Sequence, residues 1–343
     1  MSYDTAIILG AGAFGTSIAT VLANNFRTVI LKVRSKDVYD SILNDHQNAV
    51  YLPGKQLASN IIPALSWEEL NEKVDGEVEL FVSGLPTTAI TGYLYDNFDF
   101  ILEFLKDGVP FVSLSKGIDP VTLELPDDLY FNYYFDFIDQ FTFLSGPSFA
   151  REIVDEQITS VSLAGRSKKV LEKVSQMMST SYFKIFPGYD VKGTLLGGAL
   201  KNILAVAGGI IEELGLNHNT RAAMITRGIA EMLRFGKVYN ARPETFYGLS
   251  GMGDLILTTT GDLSRNKAFG IEIAKGRSAK EIINSQRTVV EGYKTSQAVY
   301  LLSQKYEIRA KILNGVYSVI HLNSSPREVI EDIISTPIKF ELE

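Results

Sequence analysis

The sequence predicts an α/β domain built on a parallel sheet, followed by an all-α domain. Short β-rich runs alternate with helical patterns from the start of the chain to about Pro187, which is typical of a parallel sheet covered by helices. After Asp190 the pattern is almost entirely helical. The chain has 343 residues, and at roughly 150 residues per domain that length suggests about two domains. We therefore expect one domain over 1–190 and a second over 191–343.

The composition is that of a globular protein and excludes several kinds of site. Apolar residues make up 45% and charged residues 21% of the chain, which rules out a fibre or a disordered tail. Without cysteine there is no disulfide, thiolate zinc site, iron–sulfur cluster or thiol nucleophile. We expect no metal centre, because the few histidines are far apart in the sequence: His46, His218 and His321. The formal charge of −7 disfavours nucleic acid as a partner, since it would repel phosphates.

The N-terminal residues indicate a cytoplasmic protein without an integral membrane segment. They lead through Ile7-Ile8-Leu9 directly into glycines, without the basic leader and long apolar stretch of a signal peptide. One segment, Gly193–Ile211, imitates a membrane span because it is apolar and rich in small residues. Lys201 lies at its middle, and a central lysine costs about 2.5–3.5 kcal/mol on insertion scales. A buried helix is therefore the better interpretation.

Residue patterns also locate individual elements. Ser66 and Glu69 have the spacing of a capping box at the start of a helix. In the second half we expect helices to begin at Asn219 or Thr220, at Ser264, and at Ser325-Pro326. The aromatic stretch Tyr130–Phe143 is best explained by core or oligomer packing. The predicted strands are Thr5–Leu9, Thr28–Val33, Val78–Ser83, Val109–Leu114, Phe141–Ser145, Ser160–Ala164 and Phe183–Phe186.

A glycine-rich turn joins the first predicted strand to the first predicted helix. It consists of Gly10-Ala11-Gly12-Ala13-Phe14-Gly15. In this context Gly10 permits the tight turn, Gly12 lets the backbone approach a pyrophosphate, and Gly15 lets the helix pack closely on the strand. The first domain is therefore predicted to be Rossmann-like and to bind a dinucleotide, with a purely structural glycine turn as the alternative.

The end of the second predicted strand bears on which dinucleotide binds. An NAD site usually has an acidic residue about 20 residues after the glycines, where it binds the ribose hydroxyls. Here the run Leu31–Lys36 is basic and has no carboxylate. It suits the 2′-phosphate of NADP, with Arg34 as its best ligand, so we favour NADP(H) over NAD. The alternative is a solvated turn of basic residues.

Polar residues stand where a parallel sheet binds ligands, and one polar pair interrupts an apolar helix. Lys116 and Ser148 each follow a predicted strand, and ligands bind at the carboxyl ends of such strands. Lys201 and Asn202 interrupt the apolar helix. A buried ammonium group needs a carboxylate partner or a ligand, unless the lysine extends to a domain edge.

The ordered set of motifs resembles the NAD(P)-dependent sn-glycerol-3-phosphate dehydrogenase family, specifically its bacterial soluble branch. The resemblance implies reversible reduction of dihydroxyacetone phosphate, a phosphorylated triose, to the sn-glycerol 3-phosphate used for glycerophospholipids. We also expect a homodimer. The motifs are Gly10–Gly15, Asn48-Ala49-Val50-Tyr51-Leu52-Pro53-Gly54, Ser115-Lys116-Gly117, Ser145–Ala150, Ala199-Leu200-Lys201-Asn202, Gly251-Met252-Gly253-Asp254-Leu255, Ser264-Arg265-Asn266 and Val290-Glu291-Gly292-Tyr293.

Carried over position by position, the resemblance implies roles for individual residues. Lys201 would be the catalytic acid/base. The substrate would be held by Lys116, Gly146, Ser148, Lys201, Asp254, Ser264, Arg265 and Asn266. The cofactor would be lined by Gly10, Gly12, Ala13, Phe14, Gly15, Arg34, Lys116, Ala150, Arg265 and Glu291. One departure is Lys32, where the family often has an aromatic residue.

General chemistry agrees with these assignments. Hydride addition to a ketone makes an alkoxide, so a donor must supply a proton and stabilise the developing charge. A lysine can do both, because its ammonium group is a donor whose pKa responds to burial. Arg265 at a helix start would combine a guanidinium group with free backbone amides, which suits a phosphate. Helix capping is the alternative for Ser264 and Asn266.

Two other functions remain open at the sequence level. One is a related dehydrogenase that reduces a β-keto acid, which a phosphate site at Ser264-Arg265-Asn266 would disfavour. The other is a non-catalytic NADP(H)-responsive binding protein, which would bind the cofactor tightly without turnover. The presence of both Lys201 and Asp254 counts against the second alternative.

Replacing Arg34 with Asp tests the expected cofactor preference. Because the guanidinium group would bind the 2′-phosphate that only NADPH carries, Arg34→Asp should raise the KM for NADPH far more than the KM for NADH. Initial rates with each cofactor measure the two constants. Equal changes in both would remove the proposed role of Arg34.

Overall fold

The computed structural model describes residues 2–285 and 290–335. The strands of the described residues all lie in the first part of the chain: β1 Tyr3–Leu9, β2 Phe26–Lys32, β3 Ile61–Ala64, β4 Val78–Ser83, β5 Phe111–Ser113, β6 Phe141–Ser145, β7 Thr159–Gly165 and β8 Phe183–Gly188. They form one sheet in the order β3-β2-β1-β4-β5-β6-β7-β8. This arrangement confirms the predicted N-terminal Rossmann-like sheet.

Helices cover the sheet and then make up the rest of the described chain. Between the strands lie α1 Ala13–Leu22, α2 Lys36–Asp45, α3 Trp67–Glu72, α4 Ile90–Asp96, α5 Phe98–Lys106, α6 Pro126–Tyr134, α7 Ala150–Val154 and α8 Lys168–Met178, with 3-10 turns at Thr87–Ala89 and Phe135–Gln140. After the sheet follow α9 Val191–Glu213, α10 His218–Val238, α11 Pro243–Tyr247, α12 Asp254–Thr260, α13 Arg265–Ala274, α14 Ala279–Asn284, α15 Glu291–Lys305, α16 Lys311–His321 and α17 Pro326–Ile334, with a π-helical turn at Leu249–Gly253.

The sheet differs from the expected all-parallel arrangement at one pair of strands. Strands β1 to β6 are parallel, whereas β7 pairs antiparallel with β6 and β8 is parallel to β7. A parallel return needs a crossover that spans the length of the sheet. The only helix between β6 and β7 is the five-residue α7. Strand β7 therefore begins at the same end of the sheet at which β6 finishes, and runs in the opposite direction.

One strand and one helix start were not predicted correctly. β3 has four residues and contains Pro63, and a short run with proline gives a weak strand signal although an edge strand tolerates it. Helix α10 begins at His218, after an extended Asn217, so the prediction of a cap at Asn219 or Thr220 was wrong. The cap side chain of Asn217 accepts no hydrogen bond, and the extended backbone alone marks this boundary.

The other predicted helix starts are present. The Ser66 hydroxyl accepts a hydrogen bond from the Glu69 backbone N–H at 3.1 Å, while the Glu69 carboxylate accepts one from the Leu65 N–H at 2.7 Å. Ser264 caps α13 in the same way. Ser325 precedes α17, whose first residue is Pro326. Local side-chain chemistry thus located these three helices from sequence.

Core packing accounts for half of the aromatic side chains in the stretch 130–143. Tyr130, Tyr134, Phe141 and Phe143 are all buried. The rings of Phe141 and Phe111 lie 4.6 Å apart, a distance at which aromatic pairs contribute beyond the area they bury. The stretch therefore supports the sheet from one side.

Helix α9 is the central element of the second half of the chain. It packs against α10, α12, α13, α15 and α16. Within the described residues it is the one helix long and apolar enough to cross a membrane, and the apolar window that meets this criterion is entirely buried within the protein. The predicted buried helix is confirmed. One of the two clusters of core residues contains side chains from both halves of the chain. The domain boundary at 190/191 stays a prediction.

Two glycines in helices should respond oppositely to replacement by alanine. A Cβ on Gly209 of α9 would lie 2.0 Å from the Lys267 carbonyl oxygen, whereas a Cβ on Gly92 of α4 would meet nothing within 4 Å. We expect Gly209→Ala to destabilise the fold by about 1–3 kcal/mol and Gly92→Ala to stabilise it by about 0.5–1 kcal/mol. Urea unfolding measures both. A neutral Gly209→Ala variant would contradict the close helix contact.

Candidate active site

The loops that carry the predicted site residues meet at one edge of the sheet. Leu9 at the end of β1 pairs with Lys32 of β2 on one side and with Ser83 of β4 on the other. The strand order reverses between β1 and β4, and open α/β sheets bind ligands at such a reversal, beyond the carboxyl ends of the strands. The loops after β1, β4, β5 and β6 all leave the sheet there.

The glycine turn has the geometry that its sequence predicts. Gly10 has a φ of +93°, a conformation that favours glycine. A Cβ on Gly15 would lie 2.1 Å from the Gly10 carbonyl oxygen, so only glycine lets α1 pack this closely. A Cβ on Gly12 would meet nothing within 4 Å. The backbone before the N-terminus of α1 is therefore open on the side where a phosphate would approach.

A buried carboxylate joins two lysines from different parts of the chain. Asp254, the first residue of α12, accepts a hydrogen bond from Lys201 Nζ on one oxygen and from Lys116 Nζ on the other, each at 2.9 Å. Asp254 is 1% exposed and Lys201 6% exposed. We call Lys116, Lys201 and Asp254 the lysine–carboxylate cluster. Asp254 thus brings together three of the residues that were predicted to hold the substrate.

Burial and neighbouring charges set the protonation of this cluster. Burial lowers the pKa of Lys201 to about 8, with the Coulombic attraction of Asp254 opposing it and the repulsion of Lys116 and Arg265 adding to it. Burial raises the pKa of Asp254, but the Coulombic attraction and the hydrogen bonds of Lys116 and Lys201 together outweigh it and hold that pKa below its ordinary value. The Lys201 ammonium can therefore lose its proton near neutral pH while Asp254 stays ionised.

Lys116 connects the cluster to the loop after β6 and to the glycine turn. Its Nζ donates to the Gly146 carbonyl oxygen at 3.0 Å and to Ser148 Oγ at 3.4 Å. The same nitrogen lies 5.4 Å from the centre of the Phe14 ring, within range of a cation–π interaction. Gly146, Ser148 and Phe14 thus all lie around the Lys116 ammonium group.

Two asparagines link the helices around the cluster, and sequence reasoning gave one of them no role. Asn202 Nδ2 donates to the Lys116 carbonyl oxygen at 3.2 Å, and Asn202 Oδ1 accepts from Asn266 Nδ2 at 2.9 Å. Asn266 Oδ1 in turn accepts from the Gly292 backbone N–H at 3.0 Å. Asn266 therefore joins α13 to α9 and α15 and is not a helix cap. The only sequence signal for Asn202 was its position beside Lys201.

The start of α13 faces the cluster. Ser264 Oγ accepts from the Lys267 backbone N–H at 3.2 Å, so helix capping describes its present contact. Arg265 is exposed as the first residue of α13 and is close enough to lower the pKa of Lys201. Burial raises the pKa of Glu291, the first residue of α15, to about 7, against the attraction of Arg265. Arg265 and Glu291 thus lie together at this edge.

Within the part of the chain that the structure describes, no hydrogen bond or ion pair joins Arg34, Ala150 or Lys32 to the lysine–carboxylate cluster. Arg34 is exposed just after β2, and Ala150 begins α7, which packs against α1. Lys32 donates to the Leu65 carbonyl oxygen at 2.6 Å and lies 6.0 Å from the Trp67 ring centre. It thereby packs against an aromatic ring at the position where the family often has an aromatic residue of its own.

The residues at this edge fit a dinucleotide. Gly12 leaves its backbone open, and the first turn of α1 carries no acidic residue that would repel a phosphate. The hydroxyl oxygens of Thr87 and Ser145 are buried without a hydrogen-bond partner among the described residues, and such groups usually have one. Among the residues that the structure describes, no group of three or more His, Asp or Glu side chains could hold a metal ion.

Family comparisons cover nearly all of the chain. The family model for the NAD-dependent glycerol-3-phosphate dehydrogenase N-terminus matches residues 5–171, and the model for the C-terminus of the same family matches residues 190–331. The chain belongs to this family. The resemblance given by the motifs is therefore confirmed.

Similar proteins agree with the family. A glycerol-3-phosphate dehydrogenase (NAD(P)+) of Citrifermentans bemidjiense is 37% identical over 97% of this chain and 98% of its own length. One of Leptospira biflexa is also 37% identical, with the same shares covered. The crystal structure of the glycerol-3-phosphate dehydrogenase from Coxiella burnetii matches with a TM-score of 0.85 at 27% identity, and covers 97% of this chain and 99% of that one.

Proposed function

We propose that the protein reduces dihydroxyacetone phosphate to sn-glycerol 3-phosphate with NAD(P)H, and catalyses the reverse reaction, with Lys201 as acid/base. The observation that carries this proposal is the buried pair of Lys201 and Asp254, 2.9 Å apart, beside the glycine turn of a chain that belongs to this dehydrogenase family. Supply of a precursor for glycerophospholipids is the corresponding role.

Lys201 supplies the proton that the reduction needs. When bound, the reduced nicotinamide supplies a hydride to the carbonyl carbon, and the carbonyl oxygen becomes negative. The Lys201 ammonium donates a proton to that oxygen and stabilises its charge as it develops. In the oxidation the neutral amine accepts the proton from the substrate hydroxyl. Because burial brings the pKa of Lys201 to about 8, both forms are accessible near neutral pH.

Asp254 and Lys116 orient this donor. Asp254 binds one ammonium group with each carboxylate oxygen, so the position of Lys201 depends on that of Lys116. The positive charge of Lys116 also lowers the pKa of Lys201, which makes the proton easier to release. Lys116, Gly146 and Ser148 are held by mutual hydrogen bonds and form the wall against which the three-carbon substrate binds.

The N-terminus of α13 binds the substrate phosphate. Its first residue is Arg265, whose guanidinium group can bind two phosphate oxygens. The free backbone N–H groups and the positive end of the helix dipole favour an anion at the same place. Asn266 is fixed from both sides by Asn202 and Gly292, so the start of α13 keeps its position relative to Lys201.

The cofactor binds at the glycine turn and extends toward Glu291. NAD(P) dependence accords with the family. The Arg34 side chain is exposed just after β2, where its positive charge can bind the 2′-phosphate of NADP. The preference for NADP(H), the homodimer and the cytoplasmic location stay predictions. A non-catalytic binding protein would have no need for a buried acid/base pair, and a β-keto acid reductase would have no need for the basic start of α13.

Replacing Lys201 with Ala tests the function directly. Without the proton donor, Lys201→Ala should lower kcat by roughly 10²–10⁴, the range for a lost general acid, and leave cofactor binding intact. The rate is followed as NADPH absorbance with dihydroxyacetone phosphate, and NADPH binding by fluorescence titration. Near-normal turnover would refute the role of Lys201.

The pH dependence of the wild-type enzyme provides a second measurement of the same role. The ammonium form donates the proton in the reduction, so kcat/KM should fall as the pH rises above about 8, the pKa of Lys201. The amine form accepts the proton in the oxidation, so that kcat/KM should rise over the same interval. A reduction rate that is flat from pH 6 to pH 10 would contradict the assignment.

Replacing Arg265 with Ala tests phosphate recognition. The variant should lose activity mainly with dihydroxyacetone phosphate, because unphosphorylated dihydroxyacetone gives the guanidinium group nothing to bind. The comparison is the ratio of kcat/KM for the two ketones in the wild type and in Arg265→Ala. An equal loss with both would show that Arg265 does not recognise phosphate.

A further inference from the structure

A completely buried asparagine contacts the glycine turn from behind. Asn48 has 0% of its surface exposed and lies on the segment between α2 and β3. Its Nδ2 donates to the Ala11 carbonyl oxygen and to Thr16 Oγ1, each at 2.8 Å. Its Oδ1 accepts from the Tyr51 backbone N–H at 3.2 Å. One side chain thus connects this segment, the turn and α1.

The bond to Ala11 determines the direction of the next N–H group. No peptide bond in the described part of the chain is cis, and in a planar trans peptide the C=O and N–H groups point in opposite directions. Because the Ala11 oxygen is bound to Asn48, the Gly12 N–H must point away from Asn48. That side of the backbone is the open one, where a Cβ on Gly12 would meet nothing within 4 Å.

We propose that Asn48 is the positioning residue that directs the Gly12 N–H toward the cofactor pyrophosphate. This inference rests on the proposed function, in which the glycine turn binds the dinucleotide. Asn48 itself touches no ligand and acts through the Ala11–Gly12 peptide. The bond to Thr16 on α1 fixes the same amide group to the helix whose N-terminus faces the phosphates.

The chemistry of the site selects asparagine. Asn48 has to donate twice and accept once, and an amide can do this without a charge. An aspartate of the same shape would place an oxygen against the Ala11 oxygen and a negative charge beneath the phosphate site. Leaving the Ala11 carbonyl without its partner also has a cost, since a buried unpaired acceptor is unfavourable.

The segment that carries Asn48 is itself held at several points. The Leu52 N–H donates to the Asn48 carbonyl oxygen at 2.8 Å, and the Leu57 N–H donates to the His46 carbonyl oxygen at 2.7 Å. Lys55 forms an ion pair with Asp155 at the end of α7. The segment therefore provides a fixed support from which Asn48 can hold the glycine turn.

The experiment compares NADPH binding to Asn48→Ala and to Asn60→Ala by fluorescence titration. Asn60 is a matched control, because its Nδ2 also donates to two carbonyl oxygens, those of Ala23 and Phe26, each at 3.0 Å. It directly precedes β3 and therefore lies at the amino ends of the strands, whereas the glycine turn lies at their carboxyl ends. Asn48→Ala should raise the NADPH Kd at least tenfold. Asn60→Ala should leave the Kd unchanged.

Cofactor fragments separate positioning from general loss of structure. Asn48→Ala should weaken the binding of 2′-phospho-ADP-ribose, which contains the pyrophosphate, and leave that of adenosine 2′-monophosphate unchanged. If Asn48→Ala does not fold, Asn48→Asp keeps the shape and the acceptor for Tyr51 and should weaken the same fragment. Equal loss for both fragments, or an NADPH Kd within twofold of the wild type, would overturn the proposal. Direct binding needs no turnover, so these outcomes are independent of the test of Lys201.

Discussion

The buried contact of Asp254 with Lys116 and Lys201 is the constraint on which the rest of the site depends. A buried ammonium group is costly unless a carboxylate partners it. One carboxylate here partners two ammonium groups, which leaves a local excess of positive charge next to the place where an alkoxide would form. Burial lowers the pKa of Lys201, and the repulsion of Lys116 adds to this effect. Burial of Lys201 therefore both costs free energy and brings its pKa close to neutral pH.

Helix α9 makes that contact possible because small residues let other elements approach it. A Cβ on Gly198 would lie 2.7 Å from Ser145 Oγ and 3.5 Å from Lys116 Cγ, and a Cβ on Gly197 would lie 2.6 Å from the Ser250 carbonyl oxygen. The sheet thus approaches α9 on one side, and the π-helical turn before Asp254 approaches it on the other. Such turns are often found at functional sites. The same glycines therefore determine both the packing around α9 and the geometry of the lysine–carboxylate cluster.

Features with a local chemical cause could be predicted from the sequence. The glycine turn, the cap at Ser264 and the buried polar pair on α9 each have a short-range pattern with one physical explanation. The antiparallel entry of β7 and the links from Asn202 to Asn266 and Gly292 could not be predicted. They depend on where distant segments end in space, which no periodicity records. The bridge from Lys116 to Asp254 joins residues 138 positions apart, so the sequence indicated both residues but not their contact.

The composition of α9 also matters while the chain is being synthesised. The helix has the length and apolar character of a bilayer-crossing segment, and the helices that cover it in the finished fold, α10, α12, α13, α15 and α16, follow it in the chain. Strands β6 and β7, which also pack against α9, precede it in the chain. The charge on Lys201 makes entry into lipid unfavourable at that stage. The ammonium group that lies in the candidate active site thus also gives this apolar segment a free-energy penalty against lipid.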